Sequence, residues 1–220
     1  MLNEPLSNLL SKLDSIESLL KVADDATFQR NYDLANTIAD ASITLLSANF
    51  EAFTKEIGKE FILEVNRRVT HFNLLPKHIQ EAHLRYTAEY IVKKRPPISE
   101  SDLEDIARRY GSPFTIGAQY ELIPESFGDC MANPSCDVVR QVFKKMGVDL
   151  RNDVLSKNGD IRVQTLEKWL KSFIDLRNSI AHGDLGRMPT PINTVRENID
   201  NFRSISQYLT DRVDEIIGGL

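Results

Sequence analysis

The residues best suited to chemistry in this 220-residue chain fall together in Arg177-Asn178-Ser179-Ile180-Ala181-His182. An imidazole accepts or donates a proton near neutral pH, and a planar, permanently charged guanidinium holds an oxyanion through paired hydrogen bonds. Asn178 and His182 stand four residues apart and share a helix face, whereas Arg177 lies about 140° round from His182 in a regular helix. A polar Arg, Asn and His cluster therefore projects from the end of a helix whose earlier turns are apolar. Taken alone, the six residues leave two readings open. The helix dipole favours an Arg near a C-terminus in any case, and a His followed by Gly183 is an ordinary helix end.

Other constellations are weaker. Cys130 and Cys136 have no nearby His, which is not zinc-ligand spacing, and read as small buried or loop residues. His71, His78 and His83 do not form the His-Glu-x-x-His pattern and read as surface or helix-packing residues. Glu56, Glu60 and Glu64 beside Lys55 and Lys59 read as a solvated helix face. Trp169, with Phe173 and Phe143, falls on an apolar stripe and reads as core rather than as a base-stacking platform. There is no glycine-rich phosphate loop. No metal site and no cofactor are expected.

The positioning elements follow from apolar periodicity. Leu6, Leu9, Leu10, Leu13, Ile16, Leu19 and Leu20 mark a helix from about Pro5 to Val22. A longer one runs from Tyr32 through Ile38, Ala41, Leu45, Ala48, Ala52 and Ile57 to Phe61, reaching about Val69. Pro76 opens a third, carried by Ile79, Ala82, Tyr86, Tyr90 and Ile91 and stopped by Pro96-Pro97. Ser99 and Asp102 start a short fourth helix that ends at Gly111. Residues 112–133 lose the period and read as a long irregular excursion, functional or mobile. Asn133-Pro134 opens a helix burying Val138, Val139, Val142, Phe143 and Met146 and ending at Gly147. The helix from about Val163 to Ala181 buries Leu166, Trp169, Leu170, Phe173, Ile174 and Ile180, and Gly183 closes it. Thr190-Pro191 caps the last, through Val195, Ile199, Phe202, Tyr208, Leu209, Val213 and Ile216. With no run of two-residue alternation and no repeat, the expected fold is an all-α up-and-down helical bundle with one loop excursion at about 112–133.

Leu176-Arg177-Asn178-Ser179-Ile180-Ala181-His182-Gly183 resembles the signature of HEPN domains, in which Arg and a polar residue precede a His. Asn133-Pro134-Ser135 with Val138 to Gly147, and the stretch from Leu45 to Ile62 with Asn49-Phe50-Glu51-Ala52-Phe53, are similar to segments of the RiboL-PSP branch. The resemblance covers most of 32–215, so residues 1–31 read as an N-terminal helical extension and 32–217 as the bundle domain. It implies a metal-independent endoribonuclease, a toxin or antiviral effector, acting as a homodimer with its two motifs facing each other. Under that resemblance His182 moves the proton, Arg177 stabilises charge on the phosphorus oxygens, and Asn178 orients the imidazole or a phosphate oxygen. The 2′-hydroxyl would be the nucleophile, so DNA would be spared. Arg140, Lys144, Lys145 and Arg187 are the candidate RNA-binding residues. A cognate antitoxin or sensor protein is a further expected partner. The alternative is a non-catalytic helical module in which the same motif serves dimerisation or docking.

Composition bounds these readings. With 27 Lys and Arg against 32 Asp and Glu, the net charge is −5, which excludes bulk basic binding of nucleic acid and leaves room for a local cationic site. Hydrophobic residues at 41% supply a core for one ordinary domain. No stretch approaches the roughly 18 apolar residues of a membrane span. Two cysteines, and Glu4 ahead of the first Lys, point to the cytoplasm rather than to secretion.

Overall fold

The computed structural model describes residues 2–93, 99–111, 120, 122–124, 127, 135–150, 163–184 and 186–220. Among these there are seven α-helices, one short 3-10 turn (Phe72–Leu74) and no strand. The helices are α1 (Asn3–Phe28), α2 (Tyr32–Arg68), α3 (Lys77–Lys93), α4 (Glu100–Gly111), α5 (Cys136–Lys145), α6 (Val163–His182) and α7 (Ile192–Gly218). The fold is all-α, as expected.

Four helices make the up-and-down core, and α3, α4 and α5 are inserted between its second and third members. Only Gln29, Arg30 and Asn31 separate α1 from α2, which forces the two to run antiparallel. α7 is antiparallel to α1: Arg196 near its start pairs with Asp24, Arg203 with Asp14 and Glu17, and Asp214 near its end accepts from the Leu2 amide at 3.0 Å. Arg68 at the end of α2 donates to the Ile217 carbonyl at 2.9 Å, so α2 and α7 finish together. Trp169 of α6 donates to Asn198 of α7 at 2.8 Å, and Arg187, just past the end of α6, pairs with Asp40 near the start of α2, which sets α6 antiparallel to α2. α1, placed outside the bundle domain on sequence, contributes Leu6, Leu9, Leu13, Ile16 and Leu20, with Leu2 just before it, to the same buried core as the other three.

The buried seam of α2 differs from the one its alanines suggest. Ala41, Leu45, Ala48 and Ala52 face outward, and Ala39, Ile43, Leu46, Phe50, Phe53, Ile57 and Phe61 face the core. An alanine buries little area, so the large side chains one residue along decide which face turns inward. α1 likewise runs past Val22 to Phe28, its last turns held by Ala23 and Ala26 against Ala35. In α3 the buried face carries Ile79, His83 and Thr87, while Ala82 and Tyr86 are only partly covered. α5 begins at Cys136 behind Ser135, which caps the Val138 amide; the expected start at Asn133-Pro134 lies outside the described residues. Ser99 and Asp102 form the reciprocal cap of α4, each side chain accepting from the other's amide at 3.2 Å.

The excursion is tied down where it is described. Asn66 of α2 donates to the Leu122 carbonyl and accepts from its amide, both at 2.9 Å. The Tyr120 hydroxyl donates to the Val69 carbonyl at 2.9 Å, and Leu122 and Phe127 are fully buried. Tyr120, Leu122 and Phe127 are anchors for the excursion; of 112–133 only 120, 122–124 and 127 lie among the described residues.

Three helices end in the same device. At Arg30, Gly147 and Gly183, each with positive φ, the residue's amide reaches the third carbonyl back and the next amide reaches the fifth. Gly147 also lets α5 close on α3, since a Cβ there would stand 2.8 Å from Nε2 of His78. Arg30, exposed at φ +61, pays the left-handed cost that glycine avoids. Arg30→Gly is therefore expected to stabilise the protein by about 0.5–1 kcal/mol and Gly147→Ala to destabilise it by about 1–2 kcal/mol, as read from urea midpoints.

His78 gives a pH dependence. Burial lowers its pKa, opposed by the Glu81 carboxylate and the Met146 carbonyl. As pH falls through about 6.5 the unfolded chain takes up a proton that the folded chain still refuses, so stability falls until the lowered folded value is reached. Urea midpoints between pH 7.5 and 5.5 should drop more for the natural protein than for His78→Gln.

Candidate active site at the end of α6

The Arg177 to His182 motif forms the last turn and a half of α6. His182 is the C-cap of the helix, Gly183 follows at φ +62, the Gly183 amide bonds to Ile180 O at 3.1 Å and the Asp184 amide to Ser179 O at 3.2 Å. This closure stops the helix at a defined residue, so His182 projects from a fixed backbone instead of a frayed one. Its side chain is exposed and has no hydrogen-bond or ion-pair partner among the described residues.

Arg177 is half-buried. Its Nη1 donates to Oδ1 of Asn178 at 3.1 Å, and its Nε is buried without a partner among the described residues. Asn178 thus orients the guanidinium; no bond joins it to the imidazole. A buried guanidinium N–H left over in this way carries a standing cost that an acceptor reaching it would relieve.

The expected RNA-binding residues divide between two places. Arg140 pairs with Glu167 of α6 and with Asp137 at 3.4 Å. With Asp137, Gln141, Lys144, Val148, Asp149 and Leu150 it lines a cleft of about 330 Å³. Lys144 is exposed there, and Lys145 is half-covered on the same helix. Glu167 precedes His182 by fifteen residues, about 22 Å along α6, so this cleft and the motif occupy opposite ends of one helix. Arg187 follows His182 by five residues and is bound to Asp40 of α2, to Thr190 Oγ1 at 2.9 Å and to Met188 O at 3.1 Å. Asp40, not singled out on sequence, is the partner that α2 brings in from 147 positions away. The hydroxyl of Thr190 donates to Asp40 at 2.7 Å, and the N-cap position of α7 falls to Pro191.

The remaining candidates have ordinary surroundings. Cys136 is half-buried and burial raises its thiol pKa, while Cys130 lies outside the described residues. His71 is exposed and His83 is buried against Phe72. Glu64 pairs with Arg67 and Arg68, which lower its pKa. Trp169 packs in the core with Phe173 and Phe202. Among the described residues no group of three or more His, Cys, Asp or Glu could hold a metal ion, and no helix is long and apolar enough to cross a membrane.

Residues 7–218 match a protein family described as RiboL-PSP-HEPN. The match takes in all but the first residues of α1. No curated protein and no solved structure matches the chain significantly.

Replacing Gly183 by Ala forces a side chain into left-handed backbone with open space around it. A loss of about 1 kcal/mol is expected from strain alone. Amide exchange at Asp184 should speed up while exchange in α2 stays near its natural rate.

Proposed function

Because the chain belongs to the RiboL-PSP-HEPN family, we propose that it is a metal-independent endoribonuclease. The observation that carries this reading is the end of α6: an exposed imidazole on a closed helix terminus, with a half-buried guanidinium five residues earlier whose Nε has no partner among the described residues. The 2′-oxygen attacks phosphorus as its proton passes to an imidazole. The bond from phosphorus to the 5′-oxygen then breaks as that oxygen receives a proton, leaving a 2′,3′-cyclic phosphate and a 5′-hydroxyl. Arg177 faces the equatorial oxygens, where negative charge accumulates. Asn178 holds the guanidinium plane.

Base and acid must stand on opposite sides of the phosphorus, and one His182 supplies only one of them. The enzyme therefore works as a homodimer whose two-fold axis brings both motifs to one cleft. With a net charge of −5, RNA contacts are local, and the cleft of Arg140 and Lys144 is the place for a distant phosphate of the same strand. The biological setting is a cytoplasmic toxin or antiviral effector restrained by a cognate antitoxin or sensor protein.

His182→Ala should lower cleavage of cellular RNA by about 10²–10⁴-fold and Arg177→Ala by about 10²–10³-fold, with melting temperatures moved by less than about 2 °C. Excess chelator should leave the rate unchanged and the fragments should end in cyclic phosphate. Mixing natural chains with excess His182→Ala chains should lower activity by more than dilution. Fragments ending in a 3′-hydroxyl, or recovery on adding magnesium, would sink the reading.

A further inference from the structure

The carboxylate of Asp40 lies far from the motif in sequence and holds two residues of the chain that follows His182. One of its oxygens takes Nη2 of Arg187 and the other takes the Thr190 hydroxyl at 2.7 Å. Arg187 reaches across to Thr190 Oγ1 at 2.9 Å and to Met188 O at 3.1 Å, so carboxylate, guanidinium and hydroxyl close a ring of hydrogen bonds. Thr190 is almost fully buried, and the Arg187 and Asp40 side chains are 20% and 24% exposed, too covered for a surface pair with no geometric role. Between the ring and the motif lies a short tethered path. The Arg187 amide returns to Asp184 O at 3.3 Å with Gly186 at φ +88, and the Asp184 amide returns to Ser179 O at 3.2 Å. Every few residues from Ser179 to Thr190 are thereby referred to one carboxylate on α2.

We propose that Asp40 and Arg187 form a clasp that positions His182, and that Arg187 serves the site through this clasp and not by touching RNA. The catalytic part of this inference rests on the nuclease reading; the structural part does not. α2 is the longest helix and the one most deeply set in the core, so a contact to it transfers rigidity to the segment behind the imidazole. Without the ring, Gly183 and Gly186 leave the segment free to pivot and the helix end free to fray. A shift of about 1 Å in a catalytic group costs on the order of 100-fold in rate.

The test uses Asp40→Asn, Arg187→Gln and the double variant in the full-length protein. Each single change should lower kcat for RNA cleavage 10- to 100-fold with KM within about twofold, and the double variant should lose no more than the worse single one. Amide exchange at Gly183 and Asp184 should accelerate at least tenfold in both single variants, with global unfolding unchanged. The reversed pair, Asp40→Arg with Arg187→Asp, should regain part of the lost protection. A raised KM in Arg187→Gln with Asp40→Asn unaffected would make Arg187 an RNA contact and overturn the clasp, as would unchanged exchange at Asp184. If the natural protein cleaves no RNA, the nuclease reading fails and the catalytic role falls with it, while the exchange rates alone still decide whether the clasp holds the motif.

Discussion

Phe202 of α7 is met by three rings from two other helices. Phe50 of α2 lies 4.8 Å away between centroids, Phe173 of α6 4.9 Å and Trp169 of α6 5.0 Å, the last two edge to face. This contact sets the height of α6 relative to α2 and α7, because rings of this size interlock in few ways and dominate the area buried around them. The indole N–H adds a direction by donating to Asn198, whose amide in turn donates to Thr194 O at 2.7 Å. With α6 fixed at Trp169 and Phe173, its last turn is carried past the core to the end of the bundle. That is how an apolar helix presents an exposed His182.

The same hub separates two kinds of polar chemistry. Along α1 and α7, Arg196 with Asp24 and Arg203 with Asp14 and Glu17 join exposed or half-exposed partners; pairs of this kind contribute little each and chiefly select the register of the two helices. Burial lowers the Arg203 pKa while Glu17 and Asp14 raise it, and the balance is upward. At the end of α6 the polar groups are fewer and more constrained. Arg187 gives its Nη1 to Thr190 and Met188 and its Nη2 to Asp40, whereas the Nε of Arg177 is buried with no partner among the described residues. Arg187 is thus tied to a carboxylate on α2 and Arg177 only to its neighbour Asn178, so the two arginines stand in different surroundings.

α5 touches α6 at Glu167 by way of Arg140 and closes on α3 where Gly147 meets His78. Asn66 and Val69 at the far end of α2 hold Leu122 and Tyr120 against the same region. Polar backbone in an irregular segment can be buried only if a side chain substitutes for the missing ladder partner, and Asn66, which both donates and accepts, does so for Leu122.

The sequence by itself determined the helices. Large apolar residues at three- and four-residue steps, the Ser99 to Asp102 cap and the stops at Gly147 and Gly183 are local, and their energetics act within a few residues of the chain. The motif was legible for the same reason, since Arg177, Asn178 and His182 lie within one and a half turns. What the tertiary structure decided was every choice between faces and partners. The inward seam of α2 depends on which of two adjacent stripes carries Phe50 and Phe53, a comparison of areas that an alternation of alanines hides. Asp40 reads as one acid among many until α2 stands beside the chain after His182. Arg140 and Arg187 read alike as basic residues, and only packing gave one a cleft near the far end of α6 and the other a carboxylate. Long-range pairing of charges leaves no period in a sequence, because the partner is chosen by the helices that happen to be neighbours and not by the residues next in line.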